Sequence, residues 1–198
     1  MADSFTSRIL ERYPDAFESA WEAAGRFAEQ HELESRMVTY SRARELAILV
    51  AAMRASYVCM VWGGFGYPAL HVASTFGHTG RLDLVEEDPL AANHVEEQIR
   101  HYAYTDRVHV TVGAPSNVVR SLNGPYDAVL VDDAGHRYAG VFDDLVRLLR
   151  TGGALVIAPG DSGPAEGQST LFDAVLQDSR LVAGAIGDDG LLVAVRRR

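Results

Sequence analysis

The sequence predicts an α/β fold: a doubly wound, mostly parallel sheet with helices on both faces. Three observations carry this expectation. From residue 56 onward, short continuous apolar runs alternate with apolar-periodic stretches, as in strands covered on both faces and joined by crossover helices. The first run ends in Gly63-Gly64-Phe65-Gly66, and a helical stretch follows at once. Glycines turn the chain sharply there and leave backbone N–H groups bare beside the positive end of a helix. About twenty residues on, the second run ends in the acidic Glu86-Glu87-Asp88. Glycine loop, helix start and carboxylate together are the parts of a nucleotide-type site, with the carboxylate placed for a ribose.

In chain order, residues 4–34 repeat apolar side chains at three- and four-residue steps: Ile9, Leu10 and Tyr13, then Phe17, Ala20, Trp21, Ala24, Phe27 and Ala28. That spacing predicts helix, broken in two by Pro14. A connector over 35–40 leads to a helix that Ser41 can cap and that runs to about Arg54. Strands are expected at 57–62, 81–86, 108–112, 128–132 and 154–158, with helices between them at 67–76, 89–104, 116–122 and 138–149. Asp88 stands as cap of the helix that Pro89 begins, and Gly152-Gly153 should end the last helix. A small-residue loop follows at 160–167, then a helix at 169–177. The runs 181–186 and 191–196 flank Gly187-Asp188-Asp189-Gly190, a hairpin signal. Residues 1–55 read as a helical cap and 56–198 as the core of one domain spanning 1–198.

Composition narrows the function. The chain has 198 residues, 47% hydrophobic and 23% charged, enough for one domain with a full core. A net charge of −9 argues against a nucleic-acid backbone as partner. The one dense basic run, Arg196-Arg197-Arg198, reads as a solvated tail. No apolar run approaches membrane-spanning length, and the first residues lack the pattern of a signal peptide. The single cysteine, Cys59, lies in an expected core strand, which fits a reduced, cytoplasmic protein. All eighteen basic residues are arginine; there is no lysine. No histidine joins an H-E-x-x-H or Cys/His cluster, so zinc is not expected, and no Gly-x-Ser-x-Gly suggests a hydrolase.

The terminal hairpin separates two doubly wound readings. A dehydrogenase-type dinucleotide fold would continue with parallel units, whereas a sheet closing in an antiparallel hairpin resembles the class I S-adenosylmethionine-dependent methyltransferases. The segment Gly124-Pro125-Tyr126-Asp127-Ala128-Val129-Leu130-Val131-Asp132, followed by Tyr138, is similar to the fourth-strand motif of the catechol and caffeoyl-CoA type O-methyltransferases. Leu148-Leu149-Arg150-Thr151-Gly152-Gly153 resembles their turn before the fifth strand. Asp106-Arg107-Val108 and Val112-Gly113-Ala114 also stand where that family has them. The resemblance runs from roughly Val38 to Arg196. It implies a Rossmann-like seven-stranded sheet in the order 3-2-1-4-5-7-6, last strand antiparallel. It also implies S-adenosylmethionine (SAM) as methyl donor, S-adenosylhomocysteine (SAH) as product, a small hydroxylated acceptor and a homodimer.

The resemblance places the donor pocket at Val38, Trp62, Gly64, Gly66, Glu86, Glu87, Ala114 and Asp132. Glu86 would accept the ribose hydroxyls; the plainer alternative is an acidic helix start. The loop departs from the family at three positions. Met60 replaces an acid that holds the donor's ammonium, Trp62 replaces a glycine, and Pro68 stands where a hydroxyl residue is usual. In metal-dependent members the position of Asp132 is a metal ligand, but the partner positions are Ala158 and Pro159 here, so no divalent metal is expected. The family's general-base lysine position is Gly135. His136 is the nearest group suited to take a phenolic proton, and it reads equally as a solvated loop histidine. His136 and Asp132 are therefore the expected catalytic residues. Two other classes stay open. A non-catalytic binding or dimerisation module fits the altered loop and missing lysine. A nucleotide-dependent oxidoreductase is opposed by the hairpin and the absent third glycine.

Overall fold

The computed structural model describes residues 15–33, 37–77, 79–131, 136–158, 171–186 and 191–197. Seven strands form one sheet: β1 Tyr57–Val61, β2 Arg81–Glu86, β3 Val108–Val112, β4 Tyr126–Val131, β5 Leu149–Ile157, β6 Leu181–Ile186 and β7 Leu191–Arg196. Their order is β3-β2-β1-β4-β5-β7-β6, as expected. The first five strands pair in parallel, and β7 lies antiparallel between β5 and β6. Pro14, the 160–167 loop and the turn 187–190 lie outside the described residues.

The continuous apolar strands are explained by burial on both sides. Cys59, Val61, Val129 and Leu155 face a cluster built with α5 (Pro115–Ser121), α6 (Phe142–Leu148) and α7 (Leu171–Gln177). Val58, Met60, Leu84 and Leu130 face the opposite cluster. That cluster is built with α2 (Tyr40–Ala52), α3 (Tyr67–Ser74) and α4 (Pro89–His101). The helix α1 (Glu18–Gln30) adds the N-terminal layer, burying Ala20, Ala24 and Ala28.

At the amino ends of the strands, Asp127 ties β1 to β4. Its Oδ2 accepts the N–H groups of Ser56 at 2.8 Å and Tyr57 at 2.9 Å, and its Oδ1 meets Arg150 Nε at 2.5 Å. Tyr126 donates its hydroxyl to Asp83 at 2.7 Å, which links the start of β4 to β2 across β1.

Several boundaries differ from expectation. The cap of α2 is Thr39, whose Oγ1 accepts the Arg42 N–H at 3.3 Å; Ser41 already lies within the helix. Gly152-Gly153 do not end a helix. The helix ends at Leu148, and both glycines lie inside β5. A Cβ on Gly153 would stand 2.9–3.1 Å from the carbonyl oxygens of Arg150, Tyr126 and Asp127, so a bare residue is needed where β5 crosses β4 at a shift in register. The segment expected as one helix over 138–149 begins as a 3-10 turn, His136–Val141. Asp88 caps α4 as expected, its Oδ1 accepting the Leu90 N–H at 2.9 Å.

Candidate functional site

The parallel register sets β1, β2, β3 and β4 with their carboxyl ends on one edge, since Val61 pairs with both Val85 and Val131, and Glu86 with Val112. The expected donor residues follow those strand ends, apart from Val38, which lies between α1 and α2. Trp62, Gly64 and Gly66 leave β1, Glu86 and Glu87 close β2, and Ala114 follows β3. Strand order turns around between β1 and β4, the crevice where doubly wound sheets hold ligands. Asp132 comes directly after β4 and lies outside the described residues. For His136 the backbone is described, at the start of the 3-10 turn, and the side chain is not.

The loop after β1 is wound the left-handed way. Positive φ values occur at Trp62 (70°), Gly64 (48°), Phe65 (59°) and Gly66 (93°). Left-handed backbone costs a residue with a side chain about 1–2 kcal/mol, and a bulky residue there is a true outlier. The loop is tied at both ends. The Trp62 N–H donates to Val85 O at 2.9 Å, beside Glu86, and the Gly66 N–H donates to Gly63 O at 3.0 Å. Gly66 is the N-cap of α3, with Pro68 in its first turn.

Each glycine has its own reason. A Cβ on Gly64 would stand 2.3 Å from Val38 Cγ2, so the missing side chain makes room for the segment that crosses from α1 to α2. At Gly66 a Cβ would find ordinary contacts, 3.4 Å at the nearest, and the requirement is the φ value itself. Val38, an expected pocket residue, therefore packs on the loop and is itself buried.

Glu86 is fully buried, at 0% exposure. Its Oε1 accepts the Asp88 N–H at 3.0 Å, and its carbonyl accepts the Gly113 N–H at 2.9 Å, which draws the end of β3 beside it. A carboxylate is sheltered from water only where hydrogen bonds offset its desolvation. Glu87, next in sequence, is exposed. Ala114 is the N-cap of α5, and its carbonyl accepts the N–H groups of Asn117 at 2.9 Å and Val118 at 3.0 Å.

A ribose diol matches this set: two hydroxyl donors for a buried carboxylate at a strand end, beside a loop whose glycines leave bare backbone. The amino-acid end of a methyl donor matches less well. Met60 is 2% exposed, in the apolar cluster with Leu84, and Pro68 has no donor, so neither position supplies a charged or hydroxyl partner. Trp62 is 5% exposed; its indole belongs to the folded interior.

Two groups beside the loop escape a motif-based reading. Phe65 is buried at its left-handed position and stands 5.3 Å from the ring of Phe27 in α1. Asp15 gathers Tyr67, His71, Arg44 and the Phe17 N–H around one carboxylate. Its one signal in the sequence is a lone acid two residues before an apolar helix face. His71, on a helix otherwise apolar, is its counterpart. Burial raises the Asp15 pKa, but the Tyr67 hydroxyl, the Phe17 N–H, His71 and Arg44 outweigh it and hold the carboxyl below its ordinary value. Burial holds the His71 pKa below its ordinary value, against the pull of Asp15. Burial and the neighbouring carboxylate push the Tyr67 phenol well up. Among the described residues no group of three or more His, Cys, Asp or Glu side chains could hold a metal ion, and no helix is long and apolar enough to cross a membrane.

The family model described as O-methyltransferase matches residues 18–161, well over half of the chain. A curated relative, the catechol O-methyltransferase of Mycobacterium tuberculosis, is 26% identical over 127 residues, 64% of this chain and 58% of its own length. The chain thus spans little more than half of that relative. An O-methyltransferase from Bacillus cereus, solved in complex with SAH, superposes with a TM-score of 0.81 at 18% identity, covering 97% of each chain. An O-methyltransferase from Streptomyces achromogenes involved in tomaymycin synthesis, solved in complex with SAM, superposes with a TM-score of 0.77 at 20% identity. It covers 94% of this chain and 92% of its own. At these identities the two structures speak for the fold.

Proposed function

This chain belongs to the O-methyltransferase family, and from that premise we propose that it methylates a small hydroxylated molecule with SAM as donor. One observation carries the reading. The fully buried Glu86 carboxylate closes β2 beside the left-handed loop that closes β1, on the edge where the strand order reverses. The donor supplies a methyl group made transferable by an adjoining sulfonium. The chain's own contribution is alignment, since an in-line displacement gains most from holding the reacting atoms in register.

In this reading Glu86 accepts the ribose hydroxyls, with Glu87 at the pocket's exposed rim. The backbone of Gly64 and Gly66 lines the donor's middle, and Ala114 borders the base. Val38 and Trp62 wall the loop side. His136 takes the proton of the acceptor hydroxyl as the new O–C bond forms, and Asp132 supplies the polar contact at the end of β4. No lysine exists to serve as base.

Isothermal titration with SAH tests the site. We expect micromolar affinity for the wild type and a loss of roughly tenfold for Glu86→Gln, the scale of one charge-assisted hydrogen bond. Absence of any heat with the wild type would remove the donor-site reading. For the chemistry, His136→Ala should abolish turnover of a catechol acceptor while leaving SAH affinity in place. Unchanged turnover would remove His136 as base.

A further inference from the structure

The left-handed loop is not held by its own preferences, because Trp62 and Phe65 both carry large side chains at positive φ. Support comes from residues N-terminal to β1. Val38 packs where a Gly64 Cβ would be, and Phe27 packs near Phe65. The third support is polar. Asp15 has 1% of its side chain exposed. Its Oδ1 accepts the Phe17 N–H at 2.8 Å. Its Oδ2 accepts the Tyr67 hydroxyl, faces His71 Nε2 at 3.1 Å and lies 3.5 Å from Arg44 Nε. These partners come from three places: the turn before α1, the helix α2, and the first turns of α3. Tyr67 directly follows Gly66, the last residue of the loop. Its ring also stacks on that of Tyr40 at 6.0 Å, and the Arg44 guanidinium lies 4.7 Å from the Tyr40 ring.

Buried carboxylates with this many donors fix geometry, because each donor would otherwise be left without water or partner. We propose that Asp15 is a positioning residue for donor binding: through Tyr67 it fixes the start of α3 and so holds the Gly64–Gly66 loop against Glu86. The inference rests on the donor-site reading given above. It extends that reading to a residue of the N-terminal cap that touches no ligand. The competing account is that Asp15 only glues the cap to the core. In that case its loss lowers stability and leaves affinity alone.

The two accounts part on affinity against melting temperature. Asp15→Asn keeps the size and one acceptor but removes the charge; Tyr67→Phe removes only the hydroxyl. SAH titrations run well below each variant's melting temperature, with native far-UV circular dichroism confirmed, should show at least a tenfold rise in Kd for either variant. The double variant should be no weaker than Asp15→Asn alone, because both changes break the same link. A folded Asp15→Asn or Tyr67→Phe protein with wild-type Kd, whatever its melting temperature, overturns the proposal while the donor-site reading stands. If Asp15→Asn does not fold, Tyr67→Phe decides alone. A wild type that does not bind SAH removes both.

Discussion

Trp62 and Phe65 hold backbone that glycine would hold more easily, and the balance of forces at Trp62 can be weighed. Changing Trp62 to Gly relieves about 1–2 kcal/mol of left-handed strain. It also empties a site where the side chain is 5% exposed, a loss of about 3–5 kcal/mol for an aromatic. The flexible glycine adds up to about 1 kcal/mol against the fold. Packing wins. Trp62→Gly should be less stable by about 3 kcal/mol in urea titration, even though glycine is what the resemblance leads one to expect there. At this scale the sequence was legible where chemistry announces itself. Glu86 sits at a strand end after a glycine loop, and it is buried there. It was not legible that Gly64 is bare for the sake of Val38, because that contact joins segments twenty-six positions apart in numbering. Nor could Asp15 be paired with Tyr67 and His71 from spacing alone, since the partners meet only once α1, α2 and α3 have packed.

Helix ends show the same limit one level up. The helices α1, α2 and α4 are each followed by a residue at positive φ: Glu32 (57°), Arg54 (53°) and Ala103 (59°). The next N–H then reaches back five residues. Leu33 donates to Ala28 O at 2.8 Å, Ala55 to Val50 O at 3.0 Å, and Tyr104 to Ile99 O at 2.9 Å. This is the usual glycine-closed helix end built without glycine, so no punctuation marks the stop. It explains why the helix expected over 89–104 ends at His101. Ala103 is exposed, so Ala103→Gly relieves strain at little packing loss. It should stabilise by about 0.5–1 kcal/mol, a rise of roughly 1–4 °C in melting temperature. Strand positions were read more faithfully: β2, β3, β6 and β7 fall where the apolar runs lie. Apolar runs of strand length show in the sequence even at the sheet edges, where β3 and β6 are largely exposed, whereas the early start of β5 depends on Gly153 passing close to β4.

For the molecule as a whole, acid is the condition that tests how the layers are joined. His71 has a folded pKa below its unfolded value of about 6.5. Its contribution is complete above that value and is lost as pH falls through the lowered folded one. Asp15 and Asp127 are likewise held below the ordinary carboxyl value. At Asp127 burial pushes up, but the Ser56 and Tyr57 N–H groups and Arg150 outweigh it. Their contributions are complete above about 3.9 and are lost as pH falls through their depressed values. The urea midpoint should therefore drop in two stages. The first begins near pH 6.5 and is reduced in His71→Gln; the remainder belongs to His94, which burial also holds below its ordinary value. The second begins near pH 4 and is reduced in Asp127→Asn, which also starts from a lower plateau. A wild-type midpoint flat from pH 7.5 to 5 would remove the first stage.

Cys59, in the middle of β1, has no exposed surface, and burial suppresses its ionisation. Because it is the sole thiol of the chain, every molecule carries one silent reporter in an interior strand of the sheet. A disulfide reagent such as dithionitrobenzoate would label it only when β1 leaves the sheet. The colour released over time would count whole-molecule openings, with no engineered probe, and slow further as a tight-binding nucleoside holds the chain closed.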